Sequence, residues 1–253
     1  MLLNLFAFIF GAVVGSFLNV CIFRLPAHES IIKPLSRCPH CHHPIRFFDN
    51  IPLISFIILK GKCRDCGAKI SWRYPLVELI TAVLALLLFS KFYLFWNFLI
   101  FFIFTAVLIV IAFIDLDHQI IPDILTLPGI PVFFLLAVFV VKVPWLEALI
   151  GLAVGGGVLF AIAFFYELIS KREGMGGGDI KLLAMIGGFL GWKSLIFILL
   201  FSSFFGALVG ITAMIIKKQD MKYAVPFGPF LSAAAVAYLF WGDCFMRMLY
   251  LRY

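Results

Sequence analysis

The sequence predicts an all-α polytopic membrane protein of about eight transmembrane helices, with a small zinc-stapled cytosolic domain inserted after the first. Three observations carry this prediction. Of its 253 residues, 64% are hydrophobic and only 13% are charged, with a mean hydropathy of +1.13; ordinary soluble domains carry about 25% charge. Apolar runs recur along it at close to the roughly 20 residues that a helix needs to cross a bilayer core. One extended polar stretch interrupts them, and it contains two CxxC pairs. A soluble globular fold is excluded.

The first run, residues 2–23, has no basic residue before it, and positive charge begins only at Arg24. A cleaved signal peptide has the opposite polarity. Residues 2–23 are therefore expected to be a retained first span with its N-terminus outside. Further spans are expected near 76–90, 96–114, 127–141, 146–166, 179–191, 194–216 and 224–242, of which 179–191 is the shortest. Alternation then puts the polar segment 24–75 in the cytosol, with the loops near 115–126, 167–178 and 217–223. Fifteen of the twenty Lys and Arg fall inside and five outside, namely Lys91, Lys142, Lys193, Arg247 and Arg252. That bias is the one short cytosolic loops show. Nine of the fifteen lie between Arg24 and Arg73; Lys171, Arg172 and Lys181 surround a Gly-rich turn, and Lys217, Lys218 and Lys222 share a later loop. The net charge of +7 thus sets orientation, and no nucleic-acid partner is expected. The expected division is a first transmembrane helix (1–23), a cytosolic zinc-binding domain (24–75) and a transmembrane domain (76–253).

GxxxG spacing occurs at Gly11–Gly15, Gly151–Gly155 and Gly206–Gly210. Small residues let helix backbones approach closely in lipid, so tight helix pairs are expected there.

Cys38-Pro-His-Cys41 and Cys63-Arg-Asp-Cys66 stand 21 residues apart. Two such knuckles supply the four thiolates of a closed structural zinc site, and a reducing cytosol disfavours two disulfides. A segment of about 50 residues buries little core, so a metal staple supplies what packing cannot. Cys38, Cys41, Cys63 and Cys66 are the expected ligands; His40, His42 and His43 lie close enough in sequence to substitute. Cys21 and Cys244 read as packing residues.

Two carboxylates stand at span ends. Asp115-Leu-Asp117-His118 closes an apolar run and is followed by Pro122-Asp123, where proline must end or bend the helix. Gly174-Met175-Gly176-Gly177-Gly178-Asp179 opens another run on the same side. Charge beside a transmembrane segment is costly to desolvate and usually functional. Two carboxylates close together share a proton, giving one base and one acid able to activate water on an amide. The helix N-terminus at Asp179 favours negative charge, so Asp179 is expected to be the more readily ionised and Asp115 to hold the proton more often. Asp117 is the nearest rival to Asp115. Interfacial charges or N-caps, and a transporter with acids on broken helices, are the competing readings. No Gly-Lys-Ser/Thr, HExxH or GxSxG is present to support nucleotide, zinc-protease or serine chemistry.

Gly15-Ser16-Phe17-Leu18-Asn19-Val20, Arg24-Leu25-Pro26, the paired CxxC motifs and Arg73-Tyr74-Pro75-Leu76-Val77-Glu78 together resemble the amino-terminal region of prepilin leader peptidases. Ile114-Asp115-Leu116-Asp117 through Pro128, and Gly176-Gly177-Gly178-Asp179-Ile180-Lys181-Leu182-Leu183, resemble that family's two aspartate motifs. The resemblance covers nearly the whole chain in order and spacing. It implies a bacterial inner-membrane enzyme that cuts the leader from type IV prepilins or type II secretion pseudopilins on the cytosolic side. It further implies methylation of the new amino terminus, usually of Phe, from S-adenosylmethionine. By resemblance the catalytic pair is Asp115 and Asp179, the latter in a GxGD signature, with the seven-residue step to Pro122 favouring Asp115 over Asp117. The chain carries no Rossmann-type glycine fingerprint for a methyl-donor site, so that activity rests on the resemblance. Arg73, Tyr74 and Glu78 are candidate contributors to the amino-terminal domain, and Met175 to a substrate path.

Overall fold

The computed structural model describes residues 2–93, 95–170, 176–217 and 226–250, and these are helical with irregular connections. Gly174, Met175, Lys171, Arg172, Lys218, Lys222 and Arg252 lie outside the described residues. The helices are α1 (Leu2–Arg24), α2 (Ile54–Ile58), α3 (Arg73–Lys91), α4 (Phe95–His118), α5 (Asp123–Leu136), α6 (Trp145–Ser170), α7 (Gly177–Leu190), α8 (Trp192–Lys217) and α9 (Gly228–Tyr250). A π-helical turn, Ala137–Val141, extends α5.

Seven of these segments are long and apolar enough to cross a membrane. The eighth expected span is α7, which has only 14 residues. At 1.5 Å per residue it measures about 21 Å, short of a hydrocarbon core of about 30 Å. Its length is set by punctuation: glycines before it, and Gly191 in a left-handed conformation (φ +80°) after it. The spans otherwise fall within a few residues of those expected from hydropathy.

The chain divides into two compact units, Met1–Val110 and Ile111–Tyr253, with the division inside α4. In the first unit α1 and α3 form the main pair. A Cβ at Gly11 would lie 2.6 Å from Ala85 Cβ, and one at Gly15 would lie 2.8 Å from Glu78 Cα. The first GxxxG is thus a close helix contact. Rings of α3 and α4 add to it, with Phe92 stacked on Phe101 at 4.2 Å. Between α1 and α3 the chain builds the cysteine domain, closed by isolated bridges Arg37–Pro44 and Lys62–Lys69.

In the second unit α6 and α7 run antiparallel in close contact. Gly151 meets Gly187, each where a Cβ would strike the other's carbonyl oxygen, and Gly155 meets Leu183. Only residues without side chains allow backbones this close. Continued in the same register, Asp179 lies level with Leu159, well before α6 ends at Ser170. Phe133 of α5 meets Phe189 of α7 edge-on at 5.4 Å, and Phe197 of α8 meets Phe245 of α9 at 5.1 Å. At the far end of α6, Lys193 pairs with Glu147 at 2.9 Å.

Candidate active site and metal centre

Asp115 lies in the last turn of α4 and is only 5% exposed. Two residues on, Asp117 is exposed. The cause is helical geometry: a step of two residues turns a side chain about 200° around the axis, at 3.6 residues per turn. The helix ends at His118, and Pro122 is the N-cap of α5. The Asp115 carboxylate accepts the backbone N–H of Gly228, the first residue of α9, at 2.9 Å.

Asp179 stands in the first turn of α7, its N–H directed to the carbonyl of Gly176, the N-cap. Its Oδ1 is buried and has no hydrogen-bond partner among the described residues. The charge of Asp115 acts on it. Ile121, in the connection from α4 to α5, sits between the helix ends. A Cβ at Gly178 would lie 2.7 Å from Ile121 Cβ, and one at Gly228 would lie 3.1 Å from Ile121 Cδ1. A Cβ at Gly228 would also lie 2.7 Å from Asp115 Oδ2. The end of α4 and the starts of α7 and α9 therefore converge on one point. Asp123 is held apart from this pair by Lys181, whose Nζ reaches its two oxygens at 2.7 and 2.9 Å. The structure thus brings Asp115 and Asp179 together and turns Asp117 outward.

Gly228 was not singled out by the sequence. Its signal is Gly228-Pro229 at the head of the last apolar run, a proline in the first helical turn. Its role became visible only through the 113-residue separation from Asp115 that the fold closes.

The sequence places charge preferentially on Asp179 because that residue begins a helix. The structure offsets this advantage, since Asp115 also faces a helix N-terminus, that of α9. A helix end favours a nearby anion by about 0.3–1 kcal/mol. A hydrogen bond to a charged group contributes about 1.5–3 kcal/mol, and Asp115 has such a bond while Asp179 Oδ1 has none among the described residues. The arrangement favours Asp115 as the charged partner, opposite to the expectation from sequence.

The four expected cysteines also converge. The Sγ atoms of Cys38, Cys41, Cys63 and Cys66 lie within 4.8 Å of one another, with Cys38 and Cys66 3.9 Å apart. Tetrahedral zinc at about 2.3 Å from each sulfur requires sulfurs about 3.8 Å apart. The cluster can hold a metal ion, and its spacing is compatible with structural zinc. Each knuckle closes in the same way: Cys38 N–H bonds the His43 carbonyl and Cys63 N–H bonds that of Ala68. The residue after each second cysteine is left-handed, His42 at φ 58° and Gly67 at φ 71°. The backbone N–H of Cys41, with others near it, holds the Cys38 thiol down at about 6. Cys41 is pushed up to about 12 despite the favourable His43 N–H, by burial and its neighbouring sulfurs. Arg64 of the second knuckle clamps Asp49 with Nε at 2.8 Å and Nη2 at 2.6 Å, which lowers the Asp49 carboxyl.

Residues 9–92 match the Bacterial Peptidase A24 N-terminal domain, and residues 102–211 match the Type IV leader peptidase family. A prepilin leader peptidase/N-methyltransferase of Aeromonas salmonicida (strain A449) is 40% identical, over 95% of this chain and 91% of its own length. The chain belongs to the type IV leader peptidase family. Proteins with the same description from Pseudomonas putida and Pseudomonas aeruginosa are 37% and 36% identical, each over 94% of this chain and 90% of theirs. No solved structure matches it. Membership of this family gives the convergent carboxylates a chemistry to be weighed against, and makes a multi-pass membrane enzyme of the chain.

Proposed function

We propose that this chain is an aspartyl endopeptidase of the bacterial inner membrane. It removes the leader from type IV prepilins or type II secretion pseudopilins on the cytosolic side, then N-methylates the exposed residue from S-adenosylmethionine. The observation that carries the reading is the convergence of Asp115 and Asp179 at three helix ends, with one buried carboxylate oxygen left unpartnered among the described residues. Such an oxygen is suited to a water or a substrate group, because buried polar atoms in native proteins rarely stay unpaired.

Asp115, held by Gly228, accepts a proton from water as its oxygen attacks the scissile carbonyl. Asp179 gives its proton to the carbonyl oxygen; as the tetrahedral centre collapses, Asp115 passes the proton it took from water to the leaving nitrogen, and Asp179 regains one from a hydroxyl of that centre. The leader departs with a new carboxyl group and the mature chain with a free amine. The basic loops argue for the cytosolic face. A substrate with a basic leader ahead of an apolar helix puts its scissile bond near that membrane surface.

Cys38, Cys41, Cys63 and Cys66 hold structural zinc, which folds residues 24–75 and leaves no open position for catalysis. Within this reading the zinc-binding segment 24–75 is associated with methyl transfer, and the aspartates of the transmembrane domain 76–253 serve cleavage. The test is mass spectrometry of a prepilin incubated with purified protein in detergent, with and without S-adenosylmethionine. Wild type is expected to remove the leader, and Asp115→Asn and Asp179→Asn to leave it intact. A methyl mass is expected only when the donor is added. An uncut substrate in the wild-type sample, beside a working peptidase on the same preparation, would sink the proposal.

A further inference from the structure

The first unit contains a cavity of about 380 Å³ bounded by α1, the start of α3 and both cysteine knuckles. Three of its lining residues are polar yet nearly sealed: Asn19 is 7% exposed, Arg24 8% and Glu78 9%. Each has a structural bond, and two retain capacity. Asn19 Nδ2 bonds the Tyr74 carbonyl at 3.1 Å. Arg24 bonds the carbonyls of Ser30 and Pro34 at 2.9 and 2.7 Å, which occupies two of the five donors of a guanidinium. Glu78 accepts the Leu53 N–H at 2.8 Å and the Ser16 hydroxyl. A carboxylate can accept about four hydrogen bonds, and these two donors are neutral. A buried carboxylate without a cation is costly unless a ligand brings the charge.

The structure assigns this cavity as the place where the methyl donor and the newly exposed amine meet, with Glu78 as the residue that receives the amine. This rests on the methyl-transfer half of the proposed function. The volume lies at the lower end of the roughly 300–1,000 Å³ of small-molecule sites, which suits a nucleoside–amino-acid conjugate. Arg24 offers its remaining donors to a carboxylate, and Tyr74 and Phe56 give the wall aromatic surface for a purine. The bound donor supplies a methyl group on a sulfonium. Glu78 holds the substrate ammonium and takes one proton from it, freeing the nitrogen lone pair. The N–C bond forms as the C–S bond breaks, its electron pair remaining on sulfur. The product nitrogen carries the methyl group, and Glu78 passes its proton to water.

The test bypasses cleavage by using a synthetic peptide that already begins with a free N-terminal Phe. S-adenosylhomocysteine binding is measured by calorimetry, and peptide methylation by mass, for wild type, Glu78→Gln, Glu78→Asp and Arg24→Gln. Retention of bound zinc reports that each variant is folded. Glu78→Gln, whose amide oxygen can still take the Leu53 N–H, is expected to bind S-adenosylhomocysteine like wild type. Its KM for the peptide should rise at least about tenfold, and Glu78→Asp should recover part of that. Arg24→Gln should weaken S-adenosylhomocysteine binding by about tenfold or more. If zinc-loaded Glu78→Gln and Arg24→Gln both match wild type in binding and methylation, the cavity is not the site. A wild type that neither binds S-adenosylhomocysteine nor methylates the peptide would overturn the methyl-transfer reading itself, and this assignment with it.

Discussion

A methyl group placed on Gly228 would lie 2.7 Å from Asp115 Oδ2 and 3.1 Å from Ile121 Cδ1. Gly228→Ala should therefore displace the Asp115 carboxylate while leaving both aspartates in the chain. Misplacing a catalytic group by about 1 Å can cost about 100-fold in rate. Prepilin cleavage by Gly228→Ala is expected to fall by that order, with thermal unfolding in detergent close to wild type. Near-normal cleavage would show that the N–H of Gly228 does not position Asp115. Asp117→Asn is the complementary case. Because that residue is exposed, cleavage should stay within about twofold of wild type, as for most surface substitutions. A loss as deep as that of Asp115→Asn would exchange the roles of the two. The sequence named both acids and could rank them only through resemblance and spacing. Their burial separated them, because it depends on which face of α4 meets the rest of the second unit.

At the scale of elements, α6 and α7 are held by contact between Gly151 and Gly187, with Gly155 against Leu183. A side chain at Gly187 would force α7 away from α6. Overpacking of this kind costs about 1–3 kcal/mol, and α7 carries Asp179 at its start. Gly187→Leu is expected to lower the unfolding temperature in detergent and to reduce cleavage together. An unchanged unfolding temperature would mean that the close approach is dispensable. Of the three GxxxG pairs legible in the sequence, the first two mark backbone contacts. A Cβ at Gly206 would meet only the rings of Phe227 and Phe230, at an ordinary contact distance of 3.7–3.8 Å. Spacing alone does not distinguish these cases, since it says nothing about the partner helix.

At the scale of the whole molecule, the two proposed chemistries fall in different compact units. The cysteines and the cavity lie in Met1–Val110; Asp115, Asp179 and Gly228 lie in Ile111–Tyr253. Removing the metal with a chelator should therefore abolish methylation while cleavage persists, measured on one prepilin by the two mass changes. Equal loss of both would contradict separate seats. Zinc binding itself should release protons, because thiols must ionise to coordinate. Cys38, held at about 6, is largely thiolate at pH 7, whereas Cys41, at about 12, and Cys66, also raised, are protonated. Titration calorimetry in buffers of different ionisation enthalpy should read at least two protons released at pH 7 and fewer than four. Affinity should fall as pH is lowered, since more protons then compete for the sulfurs. Release of no protons would exclude the thiols as ligands.

Hydropathy and charge by themselves determined the membrane class, the approximate spans and the place of the polar insertion, because the cost of desolvating charge is paid residue by residue along the chain. Paired CxxC spacing determined the cysteine cluster for a similar reason: each knuckle is a local turn, and few geometries satisfy four sulfurs. The partner of Asp115 was decided only in three dimensions. Gly228 is 113 residues away, and no local pattern encodes which helix start will meet which helix end. The shortness of α7, the outward turn of Asp117 and the enclosure of Glu78 depend likewise on packing between elements, where backbone approach and burial arise from the whole arrangement of neighbours.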